Sequence, residues 1–136
     1  MSQENVEVIL HAFEAYNGHG ARTVARDYWH PDIEWDVGPW AVALGGQTHW
    51  RGREQAIANF DELESLLGRF MMEVLDTAEG RDEVFVEARL HGEGLESGAG
   101  VDQRFWYAMR VEGDRVRRIR IFDNRADALE AVGLSE

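Results

Sequence analysis

The segment VDQRFWYAMRVEGDRVRRIRIFD, residues 101–123, decides the fold of this chain. Two runs with a period of two residues flank the turn at residues 112–114, and this pattern predicts a β-hairpin. Both faces of the first run carry large or apolar side chains, so both are expected to contact another layer. The hairpin is therefore predicted to lie at the centre of a sheet, with one face lining a small-molecule cavity and the other meeting a second subunit.

In the return strand, the alternation predicts two sets of side chains. Ile119, Ile121 and Asp123 are assigned to one face. The other face is assigned Val116, Arg118, Arg120 and Phe122.

The segments outside the hairpin supply helices first and strands later. Helical periodicity or end signals predict helices at about 2–17, 21–29, 52–67 and 124–132. Alternation predicts strands at 32–37, 69–77 and 82–91, with a Gly-rich loop at 38–50 that is a candidate lid. This order predicts a single α+β domain over residues 1–136, in which a cone-shaped, curved antiparallel sheet wraps around the N-terminal helices.

Composition excludes several classes of function. The 136 residues carry a net charge of −12, which argues against nucleic acid and anionic membrane as partners. The absence of cysteine excludes disulfides and thiol catalysis, and the absence of lysine excludes Schiff-base chemistry. No apolar run is long enough for a membrane span, so a cytoplasmic protein is expected.

Four segments together resemble the SnoaL-like branch of the nuclear transport factor 2-like (cystatin-like cone) superfamily. They read ENVEVILHAFEAYNGHG, HPDIEW, WRGREQAIANF and RADALEAVGLSE. The resemblance implies a cavity between sheet and helices and, commonly, a homodimer built on the outer face of the sheet. It does not fix a reaction, because the superfamily includes cyclases, isomerases, dehydratases, epoxide hydrolases and binding modules.

The resemblance to limonene-type epoxide hydrolases fails at the polar positions. The strand that would carry their arginine and aspartate reads Arg89-Leu90-His91 here, and the position of the second aspartate is occupied by Ile121. Trp35 and Val37 stand where that hydrolase has a tyrosine and an asparagine. Epoxide hydrolysis is therefore not expected.

Asp123 has two interpretations. It shares a strand face with Ile119 and Ile121, so it is a candidate general base near the mouth of the cavity. It also immediately precedes a predicted helix, where an aspartate serves as an ordinary N-cap, and this second interpretation is favoured.

Arg89 and His91 form the second catalytic candidate. At positions i and i+2 of one strand they lie about 7 Å apart, close enough to polarise a carbonyl and transfer a proton. The alternative is that Arg89 pairs with Glu73 or Glu87 on an outward face, which the alternation of its own strand favours. The resemblance alone points Arg89 inward.

Asp36 and Tyr16 complete the catalytic candidates. Asp36 follows Trp35 at a position similar to that of the ketosteroid isomerase base, although alternation points it outward unless a bulge intervenes. Tyr16 is a candidate hydrogen-bond donor to an oxyanion, although helical spacing with Phe13 is also typical of a core residue.

The aromatic and apolar residues predict the nature of the ligand. If several of them face the cavity, the ligand is a small apolar molecule with a ring; if none does, they are core. The candidate ligand-binding residues are Phe13, Tyr28, Trp35, Val37, Trp40, Trp50, Tyr107, Ile119 and Ile121.

Two functions remain open. One is cofactor-free proton transfer of the isomerase, cyclase or dehydratase kind, and the other is a non-catalytic ligand-binding or dimerisation module. The scattered histidines have no metal-ligand spacing, so neither a metal nor a cofactor is expected. The expected partners are a small apolar organic molecule and a second copy of the chain.

Overall fold

A computed structural model describes residues 2–38, 48–68, 70–93 and 100–134. The helices are α1 (Ser2–His19), α2 (Ala21–Asp27), α3 (Arg53–Leu67) and α4 (Arg125–Ala131). The strands are β1 (Trp29–Asp36), β2 (His49–Arg51), β3 (Phe70–Glu79), β4 (Val84–Glu93), β5 (Gly100–Glu112) and β6 (Arg115–Phe122). The predicted α+β class is confirmed.

The six strands form one curved, open sheet in the order β2-β1-β6-β5-β4-β3. Strands β3 to β6 are an antiparallel meander, as predicted, and β1 joins β6 in parallel. Strands β2 and β3 are the two edges. The hairpin of β5 and β6 therefore lies inside the sheet, as the opening segment predicts.

The two faces of the sheet meet different helices. The inner face packs against α1, α2 and α3 and contains the main core, which includes Ile9, Ile33 and Tyr107. The outer face carries a smaller core, in which Phe85 and Ala108 pack against Leu129 of α4. An apolar patch of the outer face is thus covered by this chain's own last helix.

The boundary between α2 and β1 differs from the predicted one. The predicted helix extends to Trp29, but α2 ends at Asp27 and Trp29 already belongs to β1. The N–H of Val116 donates to the carbonyl of Tyr28 at 2.7 Å, which ties this segment to β6. Long-range strand pairing therefore overrides the local helical pattern, and the register shift after Trp29 accommodates Pro31.

The face predicted for Val116 is wrong. Arg110 pairs with Arg118 and Val111 pairs with Val116, so Arg117 is an extra residue in β6. Such a bulge reverses the alternation of side chains. Val116 is consequently buried in the main core together with Ile119.

The cap of α4 also differs from the favoured interpretation of Asp123. Asn124 is the N-cap, and its side-chain oxygen accepts a hydrogen bond from the N–H of Asp127 at 2.8 Å. Asp123 lies one residue earlier, is exposed, and accepts a hydrogen bond from the Asn124 amide at 3.0 Å.

Gly80 allows the turn between β3 and β4 to contact the end of α4. A Cβ atom at this position would lie 2.1 Å from the carbonyl oxygen of Val132, so no other residue fits without displacing the backbone. The N–H of Arg81 donates to the same carbonyl at 3.0 Å. The turn and the helix are therefore fixed to each other through the main chain.

The candidate lid lies mostly outside the described residues, which exclude 39–47. Its last residues, His49 and Trp50, belong to β2 and pair with β1. Residues 94–99, between β4 and β5, also lie outside the described residues.

Candidate functional site

An apolar cavity lies between the inner face of the sheet and helices α1, α2 and α3. Its volume is about 50 Å³. The helices contribute Ile9, Ala12, Phe13, Tyr16, Val24 and Phe60 to its wall, and the strands contribute Trp29, Trp35, Met72, Tyr107, Met109, Val116 and Ile119.

The wall follows from two periodicities. Residues 9, 12, 13 and 16 of α1 recur at steps of three and four, so they share the helix face that meets the sheet. Tyr107 and Met109 of β5 are two residues apart and share its inner face.

Aromatic rings fill most of the hollow. The Phe60 ring lies 5.6 Å from that of Trp29, 5.5 Å from that of Trp35 and 5.1 Å from that of Tyr16, measured between centroids. Contacts of this kind stabilise a core as well as a binding wall. The space left is about that of a few water molecules. A larger guest therefore requires side chains to move.

The cavity wall carries two hydrogen-bond donors, the Tyr107 hydroxyl and the Trp35 indole N–H. Burial raises the pKa of Tyr107 well above its usual range. The indole N–H of Trp35 is buried and has no hydrogen-bond partner among the described residues. A buried donor left unpaired costs about 1–3 kcal/mol, so an acceptor that reached these groups would be bound favourably.

Tyr16 brings a carboxylate to the edge of the cavity. Its hydroxyl donates to Oε1 of Glu64, on α3, at 3.2 Å. Tyr16 itself lines the cavity, whereas Glu64 is half-buried behind it. This hydrogen bond therefore joins a cavity-lining side chain to an acidic side chain of α3.

The predicted ligand-binding residues divide into three groups. Phe13, Trp35, Tyr107 and Ile119 line the cavity. Tyr28, Val37, Trp50 and Ile121 belong to the surrounding core but do not line the cavity. Trp40 lies outside the described residues.

Arg89 and His91 lie on the outer face, contrary to the orientation that the resemblance implies. The Nε and Nη2 atoms of Arg89 each donate to Asp102 at 2.8 Å, and its Nη1 lies 3.7 Å from Glu73. Alternation along β4 explains this, since Ala88 and Leu90 occupy the inner face. His91 is half-buried beside a surface groove between α1 and β3.

The aspartates also lie away from the cavity wall. Asp36 is half-exposed, and its Oδ1 accepts a hydrogen bond from the N–H of Gly38 at 3.0 Å. Asp123 is exposed next to the cap of α4. The structure therefore brings one of the five catalytic candidates, Tyr16, to the cavity.

Several cavity residues are not selected by the sequence analysis. Phe60 and Met109 follow the same helical and strand periods as selected residues, so the signal was present. Glu64 gives no such signal, because it lies among the polar residues of α3 and meets Tyr16 only through the packing of α3 against α1.

The described residues contain neither a metal-binding cluster nor a membrane-spanning helix. No group of three His, Asp or Glu side chains is arranged there to hold a metal ion. None of the helices formed by the described residues is both long enough and apolar enough to cross a bilayer.

Solved structures similar to this chain support the fold. TerC, co-crystallised with polyporic acid, has a TM-score of 0.76 at 16% identity, covering 95% of this chain and 97% of TerC. A putative SnoaL-like polyketide cyclase from Jannaschia sp. CCS1 has a TM-score of 0.72 at 25% identity, and the match covers 99% of this chain and 95% of the cyclase. A hypothetical protein of ketosteroid isomerase-like fold from Catenulispora acidiphila, in complex with trimethylamine, has a TM-score of 0.71 at 15% identity, covering 94% and 93%.

No curated protein sequence matches the chain significantly. The family comparison is decisive, because the SnoaL-like domain matches residues 9–119, most of the chain. With the α+β cone and its inner cavity, this match establishes that the chain belongs to the SnoaL-like domain family.

Proposed function

We propose that this protein binds a small organic molecule in the cavity, and that the enclosed part of the ligand is apolar, uncharged and equipped with one hydrogen-bond acceptor. The observation that carries the proposal is the presence of two hydrogen-bond donors in a mostly apolar wall. They are the buried Tyr107 hydroxyl and the Trp35 indole N–H, and the indole N–H has no partner among the described residues. Two structurally similar proteins were crystallised with small organic molecules, polyporic acid and trimethylamine, which supports the class of ligand.

The absence of charge follows from desolvation. An ionised group placed in this cavity would lose its water and, among the described residues, find no charged side chain in the wall. A carbonyl or ether oxygen avoids this cost and accepts a hydrogen bond from Tyr107. The ligand is therefore expected to be neutral where it is enclosed.

A second candidate function is cofactor-free proton transfer, and the Tyr16–Glu64 pair favours it. A carboxylate that accepts a hydrogen bond from a cavity tyrosine can draw a proton from it while the tyrosine takes one from a substrate. Of the catalytic candidates, Tyr16 fits this chemistry, whereas Arg89, His91, Asp36 and Asp123 would require a different ligand position.

The first test compares cyclopentanone with cyclopentane by NMR titration. Tyr107→Phe should weaken cyclopentanone binding about five- to tenfold, the effect of one lost hydrogen bond, and leave cyclopentane unchanged. Tyr28→Phe is the matched control, since Tyr28 does not line the cavity. Equal binding of the ketone by Tyr107→Phe and the unchanged protein, or no binding to either, would overturn the proposal.

The same titration in D₂O separates the two functions. A proton-transfer enzyme should exchange the α-hydrogens of the ketone faster than buffer does, and Glu64→Gln should remove that acceleration. Exchange at the rate of buffer, with binding intact, leaves ligand binding as the function.

A further inference from the structure

An open groove of about 530 Å³ lies outside the cavity, between α1 and the edge strand β3. Leu10, Phe13, Glu14 and Asn17 line it from α1, at steps of three and four that place them on one helix face. Residues 71–74 of β3 and His91 of β4 form the opposite side. Its lining therefore combines polar side chains, such as those of Glu14 and Asn17, with apolar ones, such as that of Leu10.

Phe13 and Met72 line both the groove and the cavity. Phe13 is half-buried, and its ring meets the Tyr107 ring edge-on with a centroid distance of 6.2 Å. The two spaces therefore share these two side chains, and methionine changes rotamer easily.

The backbone around this partition is fixed by Asn17. Its Nδ2 donates to the carbonyl of Met72 at 2.7 Å, and its Oδ1 accepts from the N–H of Met72 at 2.8 Å. Helix α1 therefore cannot move away from β3 at this point without breaking two hydrogen bonds. Opening of the partition must come from rotation of the Phe13 and Met72 side chains.

The charged residues at the groove favour a positively charged ligand. Glu14 and Glu73 are exposed there. Arg89 is engaged by two 2.8 Å hydrogen bonds to Asp102, and its contact with Glu73 is longer, at 3.7 Å. Since the whole chain carries −12, the surrounding field also favours a cation.

We propose that the cavity and the groove form one continuous site for an elongated amphipathic amine. Its apolar end passes Phe13 and Met72 into the cavity, and its ammonium group lies in the groove beside Glu14 and Glu73. The inference rests on the proposed function, because it takes the cavity as the site of the apolar end, and it adds the second half of the site and the charge of the ligand.

The test uses n-alkylamines from propyl to octyl, with n-alcohols and n-alkyl carboxylates of equal length, titrated by calorimetry. Amine affinity should rise about fourfold per methylene until the tail fills the cavity, and should exceed that of the alcohol. The double variant Glu14→Gln/Glu73→Gln should weaken amines about fivefold or more and leave alcohols unchanged. The control is Glu4→Gln/Glu7→Gln, which makes the same charge change at exposed positions of α1 outside the groove.

The outcomes separate this inference from the proposed function. If cyclopentanone binds but amines show no advantage over alcohols, or if the control weakens amines as much as the groove variant does, the continuous site is wrong and the cavity proposal stands. If neither cyclopentanone nor any amine binds, both are wrong.

Discussion

The hydroxyl of Tyr107 lies in the apolar interior, and its burial lowers the free energy of unfolding at high pH. An unfolded tyrosine ionises near pH 10, whereas burial keeps Tyr107 protonated well above that value. Because the pKa of Tyr107 is higher in the folded protein than in the unfolded chain, its contribution to the free energy of unfolding is fully present below about pH 10. That contribution is lost as the pH rises further.

We predict that the free energy of unfolding falls above pH 10 with a contribution of about 1.4 kcal/mol per pH unit from Tyr107. Tyr107→Phe should lack this contribution, and Tyr28→Phe should retain it. Urea denaturation at pH 9, 10 and 11 measures the slopes. The chain has no lysine or cysteine, so few other side chains titrate in this range. Identical slopes for both variants would contradict the prediction.

Sequence reasoning at the residue scale succeeded where one simple period holds. Trp35 and Ile119 are buried as their alternation predicts. Val116 was assigned to the wrong face because the extra residue Arg117 has no distinctive signature in a row of arginines. The favoured interpretation assigns the N-cap of α4 to Asp123, whereas the N-cap in the structure is Asn124. Both residue types cap helices equally well, and only the backbone direction at the start of α4 decides between them.

At the scale of elements, Asn17 performs two functions for the edge strand β3. It ties α1 to the sheet, and it occupies the N–H and C=O of Met72, which an exposed edge would otherwise present to other strands. Met71 and Leu75 on the same strand are exposed large apolar residues, so this protection matters.

Asn17→Ala is predicted to lower the free energy of unfolding by about 2 kcal/mol, since two hydrogen bonds at a half-buried position are lost. The amide of Met72 should also exchange with solvent faster, as measured by hydrogen–deuterium exchange. Glu7→Ala, at an exposed position of α1, provides the control. An unchanged exchange rate at Met72 in the Asn17 variant would argue against the tie.

Element boundaries were predicted well where local signals are strong. Helix α3 ends at Leu67, as predicted, whereas α1 continues two residues beyond the predicted end at residue 17, to His19. The start of β1 was missed because nothing local to residues 29–31 reveals a parallel partner near Val116. Pairings of this range are set by the whole sheet and cannot be read from a window of the sequence.

At the scale of the whole molecule, the homodimer suggested by the resemblance remains a prediction. Helix α4 covers the part of the outer face around Phe85 and Ala108. Arg110 and Arg118 lie opposite each other across β5 and β6, and neither has an acidic partner among the described residues. Like charges in this arrangement are unfavourable unless another surface supplies acids, and a second copy of so acidic a chain can do so.

Light scattering after size-exclusion chromatography should therefore give twice the chain mass of 15.5 kDa. Arg110→Glu, and separately 1 M salt, should shift the protein toward monomer, because both weaken charge pairs. Arg22→Glu, an exposed change on α2, is the control. A monomer at all concentrations in low salt would exclude the dimer.

The resemblance predicted the fold of the whole molecule but not its site. Helices, meander and cone follow from periodicities spread over the chain, which single substitutions do not erase. A site depends on a few orientations, and Arg89 shows that a familiar residue on the right strand can lie on the opposite face.

The parallel pairing of β1 with β6 has a consequence for how the protein is made. A ribosome delivers the first strand long before its sixth-strand neighbour, so Trp29 and Trp35 stay without their sheet partner during most of translation. The exposed rings can cause the nascent chain to aggregate until β6 is synthesised. The yield of folded protein is therefore expected to depend on chaperone supply and on the rate of translation.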